Sequence, residues 1–298
     1  PILKAHDFIP QISSKKFKDI DWNYSFRLLV GGYFLKLVVA DNLNDFTTYL
    51  IYPLFMHYST LDLLSLLFGY SFQIFADFAG YSLIALGLAS LLGYRLMQNF
   101  NFPYISTSFS EFWRRWHISL STFLREYLYF SLGGNRKGKF RTYVNLAITM
   151  ILGGLWHGAA WSYAVWGTFH GLMLALERLF NDRFTVEIKK NSVAFYLKML
   201  FIFLAVTLAW LLFRLPNFEE AVMYVKACFQ NTGMVNNYIS IFLISLYSLP
   251  VILYHLIYLK RRSSPAFLVK QEYLIYGAMI FLIITNSGTP GSFIYFQF

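Results

Sequence analysis

Cysteine is all but missing from this chain of 298 residues: Cys228 stands alone. No internal disulfide framework can form, and no zinc site built on paired cysteines is available. Charge is scarce too. Asp, Glu, Lys and Arg make up 13% of the residues, roughly half of what a soluble domain carries, which argues against an ordinary soluble surface. Several catalytic signatures are also missing. There is no HExxH, no carboxylate–histidine cluster at ligand spacing, and no GxSxG nucleophile elbow, so no metal site is expected. Gly133-Gly134-Asn135-Arg136 matches neither a nucleotide-binding glycine loop nor a P-loop, and reads as a turn before a basic stretch. No internal repeat is evident.

What the chain has in abundance is apolar and aromatic mass. Hydrophobic residues reach 57%, with 32 Phe and 22 Tyr, and the mean hydropathy is +0.48. Such a composition excludes disorder. A hydrocarbon core about 30 Å thick takes roughly 20 helical residues to cross, and the gaps between charges meet that length repeatedly. Residues 144–176 and 227–259 contain no Asp, Glu, Lys or Arg, nor do residues 273–298. Residues 63–94 carry only Asp77, and residues 193–213 only Lys198. The expected class is an all-α polytopic integral membrane protein forming one membrane domain over 1–298, with short interfacial helices.

The net charge of +10 is placed as juxtamembrane loops place it. Lys15, Lys16 and Lys18 form one cluster, and Arg136, Lys137, Lys139 and Arg141 another; Lys189 with Lys190, and Lys260 with Arg261 and Arg262, complete the set. Bases in short stretches between apolar runs face the cytoplasm or anionic headgroups, so membrane lipids are the expected partners and nucleic acid is not. Residues 1–24 read as an interfacial segment and 25–40 as an interface or short helix. Long spans are expected over 61–92, 192–215, 238–259 and 273–285, with a short amphipathic helix over 219–229.

Two stretches could carry chemistry. In FSEFWRRWHISLSTFLREYLY (109–129), Trp113, Trp116 and His117 share one face if the helix is continuous. The segment reads either as an interfacial amphipathic helix with snorkelling arginines, or as a rim where Arg114 and Arg115 meet a polyanionic ligand with His117 inside. In LGGLWHGAA (152–160), His157 is flanked by Gly153, Gly154 and Gly158 within a charge-free run. The five glycines of 144–176 predict two shorter helices or one broken or re-entrant helix packed in a bundle. His157 is either an imidazole hydrogen-bonded to a neighbouring helix or a general base, since an imidazole with an unperturbed pKa of about 6.5 accepts a proton near pH 7. His170 and Asp77 read as structural, and His6, His57 and His255 as peripheral.

These residues resemble the membrane-bound O-acyltransferase family, in its alginate O-acetyltransferase branch. The resemblance rests on FQIFADFAGYSLIALGLASLLGY (72–94), NFNFPYISTSFSEFWRRWHISLSTFLREYLYFSLGGNRKG (99–138) and NLAITMILGGLWHGAAWSYAVWGTFHG (145–171), and extends to the opening PILKAHDFIPQI and the ending FIYFQF. Leu83 departs from the branch, which often has an acidic residue there. The resemblance implies a helical bundle around a tunnel and further membrane helices before Pro1 in a longer parent. It implies acetyl-CoA as a cytoplasmic donor substrate and an extracytoplasmic polysaccharide as acceptor, served directly or through a serine-hydrolase-like partner transferase, in a bacterial inner membrane. It also implies His157 as the catalytic histidine and His117 as a second functional one. His117, a nearby backbone N–H and Asn145 then become candidate oxyanion donors, and Arg114 and Arg115 candidate phosphate ligands. A polytopic transporter or flippase is the competing class, because broken helices with polar residues also line substrate pathways.

Overall fold

The computed structural model describes residues 1–183, 189–261 and 271–291. Arg262 of the last basic cluster and the aromatic ending 293–298 lie outside the described residues. Among the described residues the chain is all-α, and three helices are long and apolar enough to cross a membrane: Thr60–Leu91, Val193–Arg214 and Tyr238–Lys260. The chain divides into two compact units. One is made of Pro1–Thr48, Gly69–Asn101 and Ile239–Gln297, and the other of Tyr49–Phe68 and Phe102–Tyr238.

In the first unit, a short helix α1 (Ala5–Phe8) precedes α2 (Trp22–Tyr33), whose N-terminus is capped by Asp21 accepting from Tyr24 N–H at 2.9 Å. The helix does not stop near Ala40. It widens into a π-helical stretch, Phe34–Ala40, and continues as α3 (Asp41–Thr47). Next comes α4 (Thr60–Leu91), crossing α2 where glycines meet: a Cβ on Gly32 would lie 2.9 Å from the Gly80 carbonyl, and one on Gly80 2.8 Å from the Gly32 carbonyl. Backbones this close are possible only without side chains. One turn beyond the crossing, Lys36 Nζ reaches both Asp41 and Asp77 at 2.8 Å.

The π stretch leaves carbonyls without helical partners, a costly state in an apolar core. Leu37 O is satisfied by Gly288 N–H at 2.9 Å. Asn42 Nδ2 donates to Val38 O and Asn286 O, both at 2.9 Å. This unit also holds α11 (Tyr238–Arg261), which contains Pro250, and α12 (Glu272–Thr285), which packs on α2 and the π stretch. His255 on α11 is not peripheral. It is buried, its Nδ1 lies 2.8 Å from Val251 O, and its ring stands edge-on to Phe75 at 5.0 Å.

The second unit contains α5 (Phe109–Arg115), α6 (Ile118–Phe123) running into a π turn Leu124–Tyr129, α7 (Gly138–Leu155), α8 (Trp161–Arg183), α9 (Val193–Arg214) and α10 (Phe218–Gln230). The charge-free run 144–176 is two helices with a break around His157, as its glycines predicted. The same glycines let α7 and α8 pack as a close antiparallel pair. A Cβ on Gly154 would strike the Tyr163 carbonyl, one on Gly167 the Met150 carbonyl, and one on Gly171 would lie 3.2 Å from Ala147 Cα.

Candidate functional site

The site is built on α5, whose N-terminus is capped twice. Ser108 Oγ accepts from Glu111 N–H at 3.0 Å, and Glu111 in return accepts from Thr107 N–H at 2.9 Å, a variant of the reciprocal capping box. From α8, Glu177 accepts the Phe109 N–H at 2.6 Å, placing a carboxylate where the helix dipole favours one. The far end of α5 does not continue into α6. Trp116 is extended and His117 lies in the left-handed region at φ 42°, ψ 55°. Trp113, Trp116 and His117 therefore do not form one helical stripe. At the break the indole of Trp116 is buried, stacking on Phe112 at 5.6 Å and lying 4.9 Å from Trp210.

The turn brings two of the sequence-predicted residues together. His117 and His157 are both buried, and both rings meet Trp156, at 6.4 and 5.1 Å between centroids. His157 follows the last turn of α7, where its N–H bonds Gly154 O at 3.0 Å. Its ring stands against Trp166 at 5.7 Å and Phe213 at 5.0 Å. His170 is fully buried, and its Nδ1 accepts from Trp113 Nε1–H at 3.3 Å within a shell of Phe112, Trp166 and Phe169.

A groove of about 530 Å³ opens beside His157. Its lining includes His157, Trp166, Gly153 and Met150, and also Arg114, Arg125 and Arg178 with Tyr129 and Asn135. No Asp or Glu is among its lining residues, so three arginines and an imidazole share one groove with no lining carboxylate to offset their charge. Arg178 donates to Asn135 Oδ1 at 3.3 Å, and Tyr129 OH also bonds Asn135. Arg114 is exposed, donates to Ser110 Oγ at 2.9 Å and faces the groove.

Arg115, Asn145 and His117 are not lining residues. Arg115 donates through Nε and an Nη to Glu111 at 3.0 and 2.8 Å. Asn145 is buried, and its Nδ2 donates to Gly134 O at 2.9 Å. Sequence reasoning passed over Arg178 and Trp166. Arg178 follows the charge-free run on α8, and its signal would have been that a helix starting beside His157 carries it back towards the base of α7. Trp166 gives no signal distinguishing it from the other tryptophans.

Residues 1–215 match the model of MBOAT, the membrane-bound O-acyltransferase family. A Pseudomonas putida protein named probable alginate O-acetylase AlgI is 40% identical over 230 residues, which is 77% of this chain and 46% of that protein. A peptidoglycan O-acetyltransferase of Helicobacter pylori is 35% identical over 232 residues, 76% of this chain and 43% of the relative. A teichoic acid D-alanyltransferase of Bacillus subtilis is 31% identical over 159 residues, 50% of this chain and 40% of the relative. The chain thus spans under half the length of the curated relatives it matches.

Proposed function

The chain belongs to the membrane-bound O-acyltransferase family, and from that membership we propose that it moves an acetyl group from cytoplasmic acetyl-CoA to hydroxyls of an extracytoplasmic polysaccharide, directly or through a partner transferase, in a bacterial inner membrane. The observation that carries the proposal is the arginine-walled groove that reaches His157. The names of the alginate and peptidoglycan relatives support an O-acetyl product.

His157 is the general base in this reading. Its imidazole takes the acceptor hydroxyl proton as that oxygen attacks the thioester carbonyl, a role worth roughly 10²–10⁴-fold in rate. Arg114, Arg125 and Arg178 hold the donor phosphates. Arg115 keeps Glu111 and the α5 turn in place, and His117, whose ring meets Trp156 as that of His157 does, orients the acceptor. Confinement of donor and acceptor beside one base supplies the remaining acceleration.

The test uses the full chain in native membranes with acetyl-labelled acetyl-CoA and the cell-envelope fraction. At equal folded abundance, His157→Ala should lose free-CoA release and label transfer by about 10²–10⁴-fold. Retention of both activities in that variant would falsify the assignment, and the labelled product identifies the acceptor.

A further inference from the structure

The groove follows one face of α7. Its lining takes Leu146, Thr149, Met150 and Gly153 from that helix and His157 just beyond it, positions at i, i+3, i+4, i+7 and i+11 that stack above one another. Leu146 marks the arginine end. Beside it Asn145 donates to Gly134 O at 2.9 Å, and the next residue of that loop, Asn135, accepts from Arg178 at 3.3 Å. His157 marks the other end. The helical rise between the two positions amounts to about 16 Å. The pantetheine arm of a CoA thioester has about thirteen bonds from phosphate to sulfur, about 15 Å when extended like a peptide chain. A thioester held at His157 thus has its phosphates near the arginine end, with the arm lying along α7.

The glycines around the helix break do not all serve packing in the same way. A Cβ on Gly154 or Gly167 would strike the backbone of the facing helix, and one on Gly171 would press on Ala147 Cα. Gly153 is different. It is buried and lines the groove. Apart from its chain neighbours and the backbone of its own helix, a Cβ there would meet one heavy atom within 4 Å, Leu124 Cδ1 of the π turn, at 2.9 Å. No close approach of helix backbones explains its bare Cα. Glycine also serves where a ligand must approach the backbone closely, and Gly153 stands one turn before His157, where the last bonds of the arm pass. Leu124 lines the groove as well, so a methyl group at Gly153 and the Leu124 side chain would compete for the same space.

We propose that Gly153 is a specificity-determining residue for the donor, whose missing side chain admits the pantetheine arm between α7 and Leu124 and so lets the thioester reach His157. This rests on the acyl-transfer reading of the groove.

In native membranes carrying the full chain, Gly153→Ala should raise the KM for acetyl-CoA about tenfold or more, the scale of one extra methyl group in a fitted pocket, with kcat within about threefold. Combining it with Leu124→Ala removes the side chain that the methyl meets, and should recover most of that rise. Gly277→Ala, which is not a groove residue and meets nothing within 4 Å, controls for alanine replacing a helical glycine and should leave KM unchanged. Thermal midpoints in detergent separate fit from folding. A wild-type KM in Gly153→Ala, alongside an inactive His157→Ala, overturns the inference alone. A raised KM that persists in the double variant overturns it too, as does a fall of kcat and midpoint together in Gly153→Ala, which assigns the glycine to packing. Absence of CoA release in wild type overturns the acyl-transfer reading and this inference with it.

Discussion

The unit containing α2, α3 and α12 holds a charged cluster whose members are paired: Lys36 stands 2.8 Å from both Asp41 and Asp77, with the Gly291 carbonyl at 3.2 Å. The unit containing α5 to α10 holds a cluster of buried imidazoles and indoles inside aromatic walls. There Trp166 Nε1 and His170 Nε2 make no hydrogen bond to described residues, and Trp166 borders a cavity. The first arrangement fixes helices against one another, because charges in an apolar medium are tolerable only with their partners in place. The second leaves buried ring nitrogens without a hydrogen bond to described residues, held in place by aromatic packing.

Removing one partner from the charged cluster of the first unit breaks the comparison most sharply. Lys36→Ala leaves two carboxylates facing each other in the first unit, and should cost about 3 kcal/mol or more, seen as a lower thermal midpoint and reduced folded yield in detergent. Lys36→Ala combined with Asp77→Asn should recover part of that loss. An unchanged midpoint in the single variant would remove the structural role given to the ion pairs.

A smaller effect is expected where the second unit relies on shape. Gly167→Ala drives a Cβ into the Met150 carbonyl across the α7–α8 contact, a clash worth about 1–3 kcal/mol. Because Met150, Gly153 and Trp166 all border the groove, catalytic activity should fall together with stability. Gly277→Ala on α12 meets nothing within 4 Å and should shift stability by less than about 1 kcal/mol. Equal midpoints for the two variants, measured by thermal unfolding in detergent, would show that the α7–α8 contact is looser than drawn.

The helices were legible from the spacing of charges: expected spans 192–215 and 238–259 became Val193–Arg214 and Tyr238–Arg261. The break at His157 was legible because glycines announce it. The break at Trp116–His117 was not, because RRWHIS contains neither Gly nor Pro, and the indole buried there packs against Trp210, more than ninety positions later in the chain. Lys36 read as an interfacial residue because Asp77, which draws it inward, belongs to another helix. For the same reason His255 could not be recognised as buried from α11 alone; Phe75 of α4 covers it. Of the groove, His157 and Arg114 were named from the sequence, whereas Arg178 comes to it only through the antiparallel return of α8.

The smallest effect concerns why one arginine of the pair faces the groove and its neighbour does not. Burial pushes the Glu111 carboxyl up, but hydrogen bonds from Thr107 and the Arg115 guanidinium outweigh it and hold the group below the usual carboxylate range. A depressed folded pKa means that the stabilisation is fully present above the unfolded value of about 4.3, and is lost as pH falls through the folded value. Glu111→Gln keeps the shape and removes the charge, so it should lower stability at pH 7 by about 0.5 kcal/mol, the scale of an i,i+4 ion pair. The gap from wild type should close as the pH is lowered towards 4 and beyond, measured by thermal midpoints across that range. A gap independent of pH would assign Glu111 a purely steric part, and Arg115 would then be kept off the groove by the geometry of the α5 turn rather than by its carboxylate partner.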